Sequence, residues 1–388
     1  MLAEILAKKG FIVTQFISNF EHRSKKFRAL QYEVRQMSER YFVAIVPSSA
    51  YTDHISLQRI QYERRYAKNL LAAVEGSTRP DFIILAEPSL CYYGILLRPL
   101  LLNRESILVI DIIDIWPELF ELALPRWSRK FAGLLLAPLF SWRKRLFRYP
   151  RAVVAVAKDY IQIAKRLTRN RSNVEFEVVY WAFDEKQSGN NVVLNESIKN
   201  LVDAKANNDV WIVYAGTLGE NYDIPAIISA AAQFREKSNE KYNVKFIIAG
   251  DGPLNDLCSQ SQSNTLHFLG RVAPNQLYQL YRHADIALST YKGESTVAMP
   301  IKAFDYIEFG IPIVNSLGRD LGALIAENEI GVNYDPIRPQ SLYEALESLI
   351  FDPDLRKKQS ANSKKLSQGF RAEAQYDKFA ALLSRLRK

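Results

Sequence analysis

Short apolar runs recur along the chain, and each is followed by a longer stretch whose apolar residues fall three or four apart. The short runs read as buried strands and the spaced stretches as helices lying over them. In the first half the predicted strands are Phe11 to Ile17, Tyr41 to Val46, Asp81 to Ala86, Ser106 to Ile110, Ala152 to Val156 and Val178 to Tyr180. Residues 2–9 read as the end of a helix closed by Gly10, and Gln58 to Glu75 as a charged helix. In the second half strands are expected at Trp211 to Tyr214, Lys245 to Ile248, Leu266 to Leu269, Ile286 to Leu288 and Ile311 to Val314. Helices are expected from Ile224, over Pro300 to Phe309, over Ser341 to Phe351 and over Glu373 to Leu386. Such alternation predicts an α/β protein with parallel sheets covered on both faces. Ser188-Gly189-Asn190-Asn191 is the best linker, so the domains are placed at 1–187 and 188–365. Residues 366–388 are expected to return as a helix to the first domain. Two such units in tandem predict a ligand held between them.

The stretch from Ser295 to Val314 concentrates candidate chemistry. Pro300 suits a first helical position, where its missing N–H is not needed. Gly310 supplies the cap and Pro312 stops the helix from restarting. Free N–H groups at the start of such a helix bind anions, and Lys302 adds a positive charge there. Asp305 lies three residues on, on the same side. A phosphate at the helix start and a sugar near Asp305 suit this layout. A surface helix with a Lys–Asp pair would use the same residues. Gly216-Thr217-Leu218-Gly219 lies between a strand and a helix, where glycines let backbone N–H groups approach a phosphate. It is neither a P-loop nor the dinucleotide fingerprint, for the Lys-Ser/Thr pair and the third glycine are missing. In the first half, Asp111-Ile112-Ile113-Asp114-Ile115-Trp116-Pro117-Glu118 follows a strand, where open α/β sheets place ligands.

Charge changes the picture. Residues 1–200 hold 30 of the 51 basic residues but only 20 of the 42 acidic ones, so the whole +9 surplus lies in the first half. That half should meet something acidic, such as an anionic membrane or a phosphorylated acceptor. A nucleic-acid role would need a recognisable basic–aromatic module, and none is present. Cys91 and Cys258 lie far apart and the four histidines are scattered. A reducing cytoplasmic setting and no metal site are therefore expected. No run of about 18 uncharged apolar residues occurs, and residues 1–10 lack a signal-peptide core.

Taken in order, the second half resembles the nucleotide-sugar-binding domain of family 4 glycosyltransferases, which have the GT-B fold. The matching segments are Tyr214 to Gly219, Ile248 to Pro253, Phe268 to Val272, Ala284 to Leu288 and Pro300 to Pro312. Asp114-Ile115-Trp116-Pro117-Glu118 is similar to a segment of the subgroup that builds surface polysaccharides. The resemblance implies two Rossmann-like domains facing across a cleft, and transfer of a sugar from a nucleoside diphosphate sugar to a hydroxyl with retention. It implies no metal and no cofactor beyond the donor. Gly216, Thr217, Gly219, Gly250, Gly252, Arg271, Val272, Pro300, Lys302 and Asp305 would contact that donor. Asp114, with Asp111 second, would contact the acceptor hydroxyl, and Trp116 and Glu118 would lie on the acceptor side. Asp114 would serve equally as an N-cap for the next helix, and Trp116 as core.

Three departures qualify the resemblance. Of the family's usual pair of glutamates, the second falls on Asp305 and the first on Val297. The Arg and Lys that relatives place after the Gly-rich loop fall near Leu218 and Asp223. The chain also begins where the family's first helix is nearly over. The first strand is then missing, and an upstream start is one expectation. These departures keep a second reading open, a catalytically silent GT-B protein that binds a sugar nucleotide or a partner enzyme. A 2-epimerase of the same fold would need an acid–histidine set that is not found. Finally, Arg126, Arg129, Lys130, Arg143, Lys144, Arg145 and Arg148 are interleaved with Trp127, Phe131, Leu134, Leu135, Leu136, Phe140, Trp142 and Phe147. Pro138 should split this segment into two short helices. Docking on the inner face of a membrane that presents a lipid-linked acceptor is expected, against burial of the same apolar residues in the core.

Overall fold

The computed structural model describes residues 1–22, 24–52, 56–75, 78–87, 106–118, 128–183, 194–237, 241–293, 295–338 and 340–387. The Ser188–Asn191 linker, Cys91, Arg126 and Trp127 lie outside the described residues. The chain forms two compact units, Met1–Tyr180 with Gln375–Lys388, and Trp181–Ala374. The junctions thus fall at 180/181 and 374/375 rather than at 187/188 and 365/366.

The first unit opens with α1 (Leu2–Lys8), β1 (Val13–Ser18), β2 (Phe20–Glu21), β3 (Lys26–Phe27), β4 (Glu33–Ser38), β5 (Tyr41–Val46) and α2 (Leu57–Glu75). It continues with β6 (Phe82–Glu87), β7 (Ile107–Ile112), α3 (Ala132–Leu135), α4 (Ala137–Leu146), β8 (Ala152–Ala155), α5 (Lys158–Leu167) and β9 (Glu175–Val178). The strands form two main sheets, β1-β5-β4 and β6-β7-β8-β9. The second is wholly parallel. The first is not, because β4 runs antiparallel to β5. Sequence reading missed β4 for a physical reason. Most of its residues are exposed and polar, so no face shows apolar alternation. Among the described residues β1 pairs only with β5, and β6 only with β7. The starts of these two strands still meet, with the rings of Phe11 and Phe82 6.4 Å apart. Residues from Gln375 onward pack in this unit. Gln375 Oε1 accepts from the Tyr180 N–H at 2.9 Å, and Asp377 pairs with Lys9 at 2.9 Å.

The second unit contains α6 (Glu196–Asp203), β10 (Asp209–Thr217), α7 (Ile224–Glu236), β11 (Asn243–Asp251), α8 (Asn255–Gln260), β12 (Leu266–Phe268), α9 (Pro274–Tyr281) and β13 (Ile286–Ser289). Then follow α10 (Ile301–Glu308), β14 (Ile313–Asn315), α11 (Asp320–Asn328), β15 (Gly331–Asn333), α12 (Ser341–Ile350) and α13 (Pro353–Ser367), with α14 (Ala372–Leu386) crossing back to the first unit. Six parallel strands take the order β12-β11-β10-β13-β14-β15. β10 lies inside the sheet and is buried from Asp209 to Ala215, as its continuous apolar run requires. Its last residues, Gly216 and Thr217, emerge into solvent at the carboxyl edge. Helix α10 is held over this edge by Tyr306. Its hydroxyl accepts from the Ala215 N–H and donates to the Leu288 carbonyl, both at 3.3 Å. Gly310, at φ +67°, ends the helix in the left-handed conformation.

Candidate functional site

The site in the second unit is built on the carboxyl ends of β10, β11 and β13. Gly216 and Thr217 are still paired in the sheet, opposite Gly250 and Asp251. Beyond them the Leu218 N–H donates to the Asp251 carbonyl at 3.0 Å. The two loops touch so closely that side chains are excluded. A Cβ on Gly250 would lie 1.9 Å from the Gly216 oxygen, and one on Gly252 would lie 2.6 Å from the Leu218 oxygen. Gly250 and Gly252, expected to contact donor, are thereby given a packing task of shaping the Gly216–Gly219 loop. Gly219 is partly exposed on that loop. Arg271 is exposed and makes no ion pair among the described residues, with Val272 partly buried beside it. Their loop is tied in by the Gly250 N–H donating to the Gly270 carbonyl at 2.8 Å.

Pro300 is buried and extended, at φ −77° and ψ 141°, and sits one position before the helix rather than at its first residue. Lys302 then turns its Nζ inward. The Nζ is closed to solvent and has no hydrogen-bond partner among the described residues. It lies 4.1 Å from the ring centre of Tyr214, 5.1 Å from that of Tyr291 and 5.3 Å from that of Tyr222. A Cβ on Gly216 would stand 3.8 Å from it. Burial without a counter-charge lowers the Lys302 ammonium from 10.5 to about 7. No Lys302–Asp305 ion pair forms. Asp305 is partly buried one turn on, and desolvation lifts its carboxyl to about 7. The surface helix with a Lys–Asp pair is therefore not what folds. Ala303, Phe304, Tyr306 and Ile307 of α10 are buried. Sequence reading missed the tyrosines, which come from three separate segments and carry no periodic signal.

In the first unit Asp111 is the penultimate residue of β7, opposite Ala86 and Val154, and not in the loop beyond it. Its carboxyl is lifted to about 7 by desolvation. Asp114 lies in the following turn. Its carboxylate accepts from the Ile115 N–H at 2.9 Å and from the Trp116 indole N–H at 3.3 Å. Burial raises its pKa against the pull of those two bonds. Asp114 thus orients Trp116, which is only partly buried. Glu118 is drawn elsewhere. Both of its oxygens accept from Arg143 Nη1, at 2.7 and 2.6 Å. Arg143 is fully buried and its Nε faces Glu87 at 2.6 Å. That corrects the sequence reading of Arg143 as one cation of an exposed cluster. Its neighbours Lys130, Lys144, Arg145 and Arg148 are exposed, as are Phe131, Leu134 and Leu135. Phe147 is buried, while Leu136, Phe140 and Trp142 are intermediate. The break between α3 and α4 falls at Leu136, and Pro138 is in the first turn of α4.

The fold is GT-B, with a Rossmann-like parallel sheet in each unit. Residues 199–366, which include the Gly216 loop and the Lys302 helix, match the family model of the glycosyl transferases group 1. Among solved structures, sucrose-phosphate synthase from Thermosynechococcus elongatus is similar at 14% identity and a TM-score of 0.73, over 99% of this chain and 91% of that one. WaaG, a glycosyltransferase involved in lipopolysaccharide biosynthesis, is similar at 13% identity and a TM-score of 0.61, over 98% and 93%. HepE of Anabaena, determined in complex with UDP, is similar at 16% identity and a TM-score of 0.62, over 88% and 86%. No curated protein sequence matches the chain.

Proposed function

We propose that the protein transfers a sugar from a nucleoside diphosphate sugar to a hydroxyl of a glycan acceptor, with retention. The observation that carries this reading is the Lys302 ammonium beside Gly216 at the start of α10, which has no partner among the described residues. In such a reaction the bond from the anomeric carbon to the diphosphate oxygen breaks, and the leaving group gains negative charge. Lys302, the first-turn N–H groups of α10 and the unpaired Arg271 are suited to stabilise that charge without a metal. Asp305 would hold a donor hydroxyl. Asp114, with Asp111 next, would accept a hydrogen bond from the acceptor. Complexes of similar folds with UDP and with UDP-2-fluoro glucose make uridine donors the first to test. Lys302→Ala should weaken nucleotide binding by about 1.5–3 kcal/mol. Unchanged affinity for UDP, GDP and ADP in both Lys302→Ala and Asp305→Asn would reject this donor site.

A lipid-linked acceptor at the inner face of the cell membrane, in surface polysaccharide synthesis, suits the first unit. Its support is the exposed apolar group Phe131, Leu134 and Leu135 beside Lys130, Lys144, Arg145 and Arg148. No helix among the described residues is long and apolar enough to cross a membrane. Each basic residue near an anionic surface contributes about 1 kcal/mol. Flotation with anionic vesicles should fall with salt and drop when Lys144 and Arg145 become Glu. Equal binding to neutral and anionic vesicles, or none, would reject docking. The second reading, a silent sugar-nucleotide binder, is favoured by Val297 at the place of the family's first acid. Donor binding with neither hydrolysis nor transfer over a donor panel would support it.

A further inference from the structure

The donor-site reading leaves one feature unused, the three tyrosines around Lys302. We propose that Tyr214, Tyr222 and Tyr291 form a cage that holds the Lys302 side chain ready without a counter-ion, so that a diphosphate binding there takes up a proton as it binds. The inference rests on the donor-site reading and adds to it a coupling that the reading does not require.

The cage is built from the backbone. Tyr214 is the next-to-last residue of the buried part of β10, and its hydroxyl donates to the Thr217 carbonyl at 2.8 Å. Tyr222 and Tyr291 come from the segments after β10 and β13, which are joined by an antiparallel bridge at these two residues. The bridge sets their rings 4.9 Å apart. The Lys292 N–H donates to the Asn221 carbonyl at 3.1 Å and the Asp223 N–H to the Thr290 carbonyl at 3.4 Å, which fixes the pair on both sides. Three ring faces therefore meet Nζ.

From β10, Nζ meets Tyr214 and lies beside Gly216, from the two bridged segments it meets Tyr222 and Tyr291, and on its own helix Asp305 lies one turn away without pairing. Asp223 is occupied as the N-cap of α7, accepting from the Ala226 N–H at 3.3 Å. Burial pushes the Tyr214 and Tyr291 hydroxyls up, so those rings stay neutral. No carboxylate among the described residues lies within ion-pair distance of Nζ. Ring faces attract an ammonium, but they do not replace lost water and a full counter-charge. The Lys302 ammonium is accordingly depressed to about 7. A diphosphate beside it supplies the missing charge and restores the protonated form. By linkage, binding then takes up a proton wherever the free protein is deprotonated.

The experiment is titration calorimetry of the full chain with UDP at pH 8, in HEPES and in Tris, whose ionisation enthalpies differ. A group with a pKa of about 7 is mostly deprotonated at that pH, so uptake of nearly one proton per UDP is expected. Lys302→Arg should bind UDP with no uptake, because guanidinium stays charged. Tyr222→Ala, which removes the cover at a partly exposed position, should readmit water to Nζ and cut the uptake by half or more. UDP binding with no proton uptake in the unmodified protein would overturn the coupling and leave the donor site standing. Uptake unchanged in Tyr222→Ala would overturn the cage as its cause. Absence of binding by UDP, GDP and inorganic pyrophosphate would remove the donor site and the coupling together.

Discussion

Arg143 and Lys302 are both buried cations, and they are buried in opposite ways. Arg143 is met by the carboxylates of Glu87 and Glu118 and by the ring of Phe147 at 5.7 Å. Lys302 is met by three rings and, among the described residues, by no carboxylate. A buried charge with its partners in place ties elements together: Glu87 ends β6, Glu118 follows β7 and Arg143 lies on α4. A buried charge lacking partners ties nothing and is available to a ligand. The same contrast separates the aspartates. Asp114 has two donors, whereas Asp111 and Asp305 have desolvated carboxyls lifted to about 7.

Removing each cation should break or confirm the contrast most sharply. Arg143→Met leaves two carboxylates behind, one of them buried, and should cost about 3–5 kcal/mol. Lys302→Met removes a charge that already opposes folding. Its folded pKa lies below the unfolded one, so its penalty is complete below pH 7 and fades as pH rises toward 10.5. That variant should match or exceed the parent by about 1–2 kcal/mol at pH 7 in urea denaturation. Equal losses for the two variants would show that Lys302 has a structural partner after all.

The two cations also mark how far sequence reasoning reaches. Most strands and helices were legible because burial writes itself as periodicity: β10, β11 and α10 carry apolar runs or stripes. Strand β4 was not, since an exposed edge leaves no such trace. Lys302 and Gly216 were legible as candidates through their local setting, a loop or a helix start after a strand. Arg143 was misread among Lys144 and Arg145 because its partner Glu87 lies far away in the chain. A local hint did exist, for Leu146 and Phe147, three and four residues on, are both buried. The tyrosine cage had no hint at all. Tyr222 and Tyr291 become neighbours only through pairing of two remote segments.

The unpartnered carboxylates should respond to pH with the opposite sign to Lys302. Asp305 and Asp111 have folded pKa values above the unfolded 3.8. The folded state then binds more protons between pH 4 and 7, and stability falls as pH rises through that window. Asp305→Asn should therefore be more stable than the parent at pH 8, by about 1–3 kcal/mol, and match it more closely at pH 4. Asp111→Asn should behave alike. Chemical denaturation at the two pH values measures the difference. A parent whose stability rises from pH 4 to 7 by an amount that Asp305→Asn abolishes would mean that this carboxylate is paired.

Asp114 should give the smallest change in stability and thereby separates its two possible roles. As Asn it keeps an oxygen that can accept from the Ile115 N–H, but loses the second acceptor for the Trp116 indole. One hydrogen bond of this kind contributes about 0.5–1.5 kcal/mol. If the carboxylate only shapes the turn, Asp114→Asn should lose about that much stability and little transfer activity. If it also accepts a hydrogen bond from the acceptor hydroxyl, transfer should fall well beyond any loss in folding, while UDP affinity, set in the other unit, stays unchanged. Asp114→Glu sharpens the test. It keeps the charge but moves it by one methylene, so a turn role tolerates it less than a charge role would. Normal transfer in Asp114→Asn would leave Asp111 as the next candidate. Asp111 lies within β7 and, among the described residues, lacks the fixed hydrogen bonds that orient Asp114.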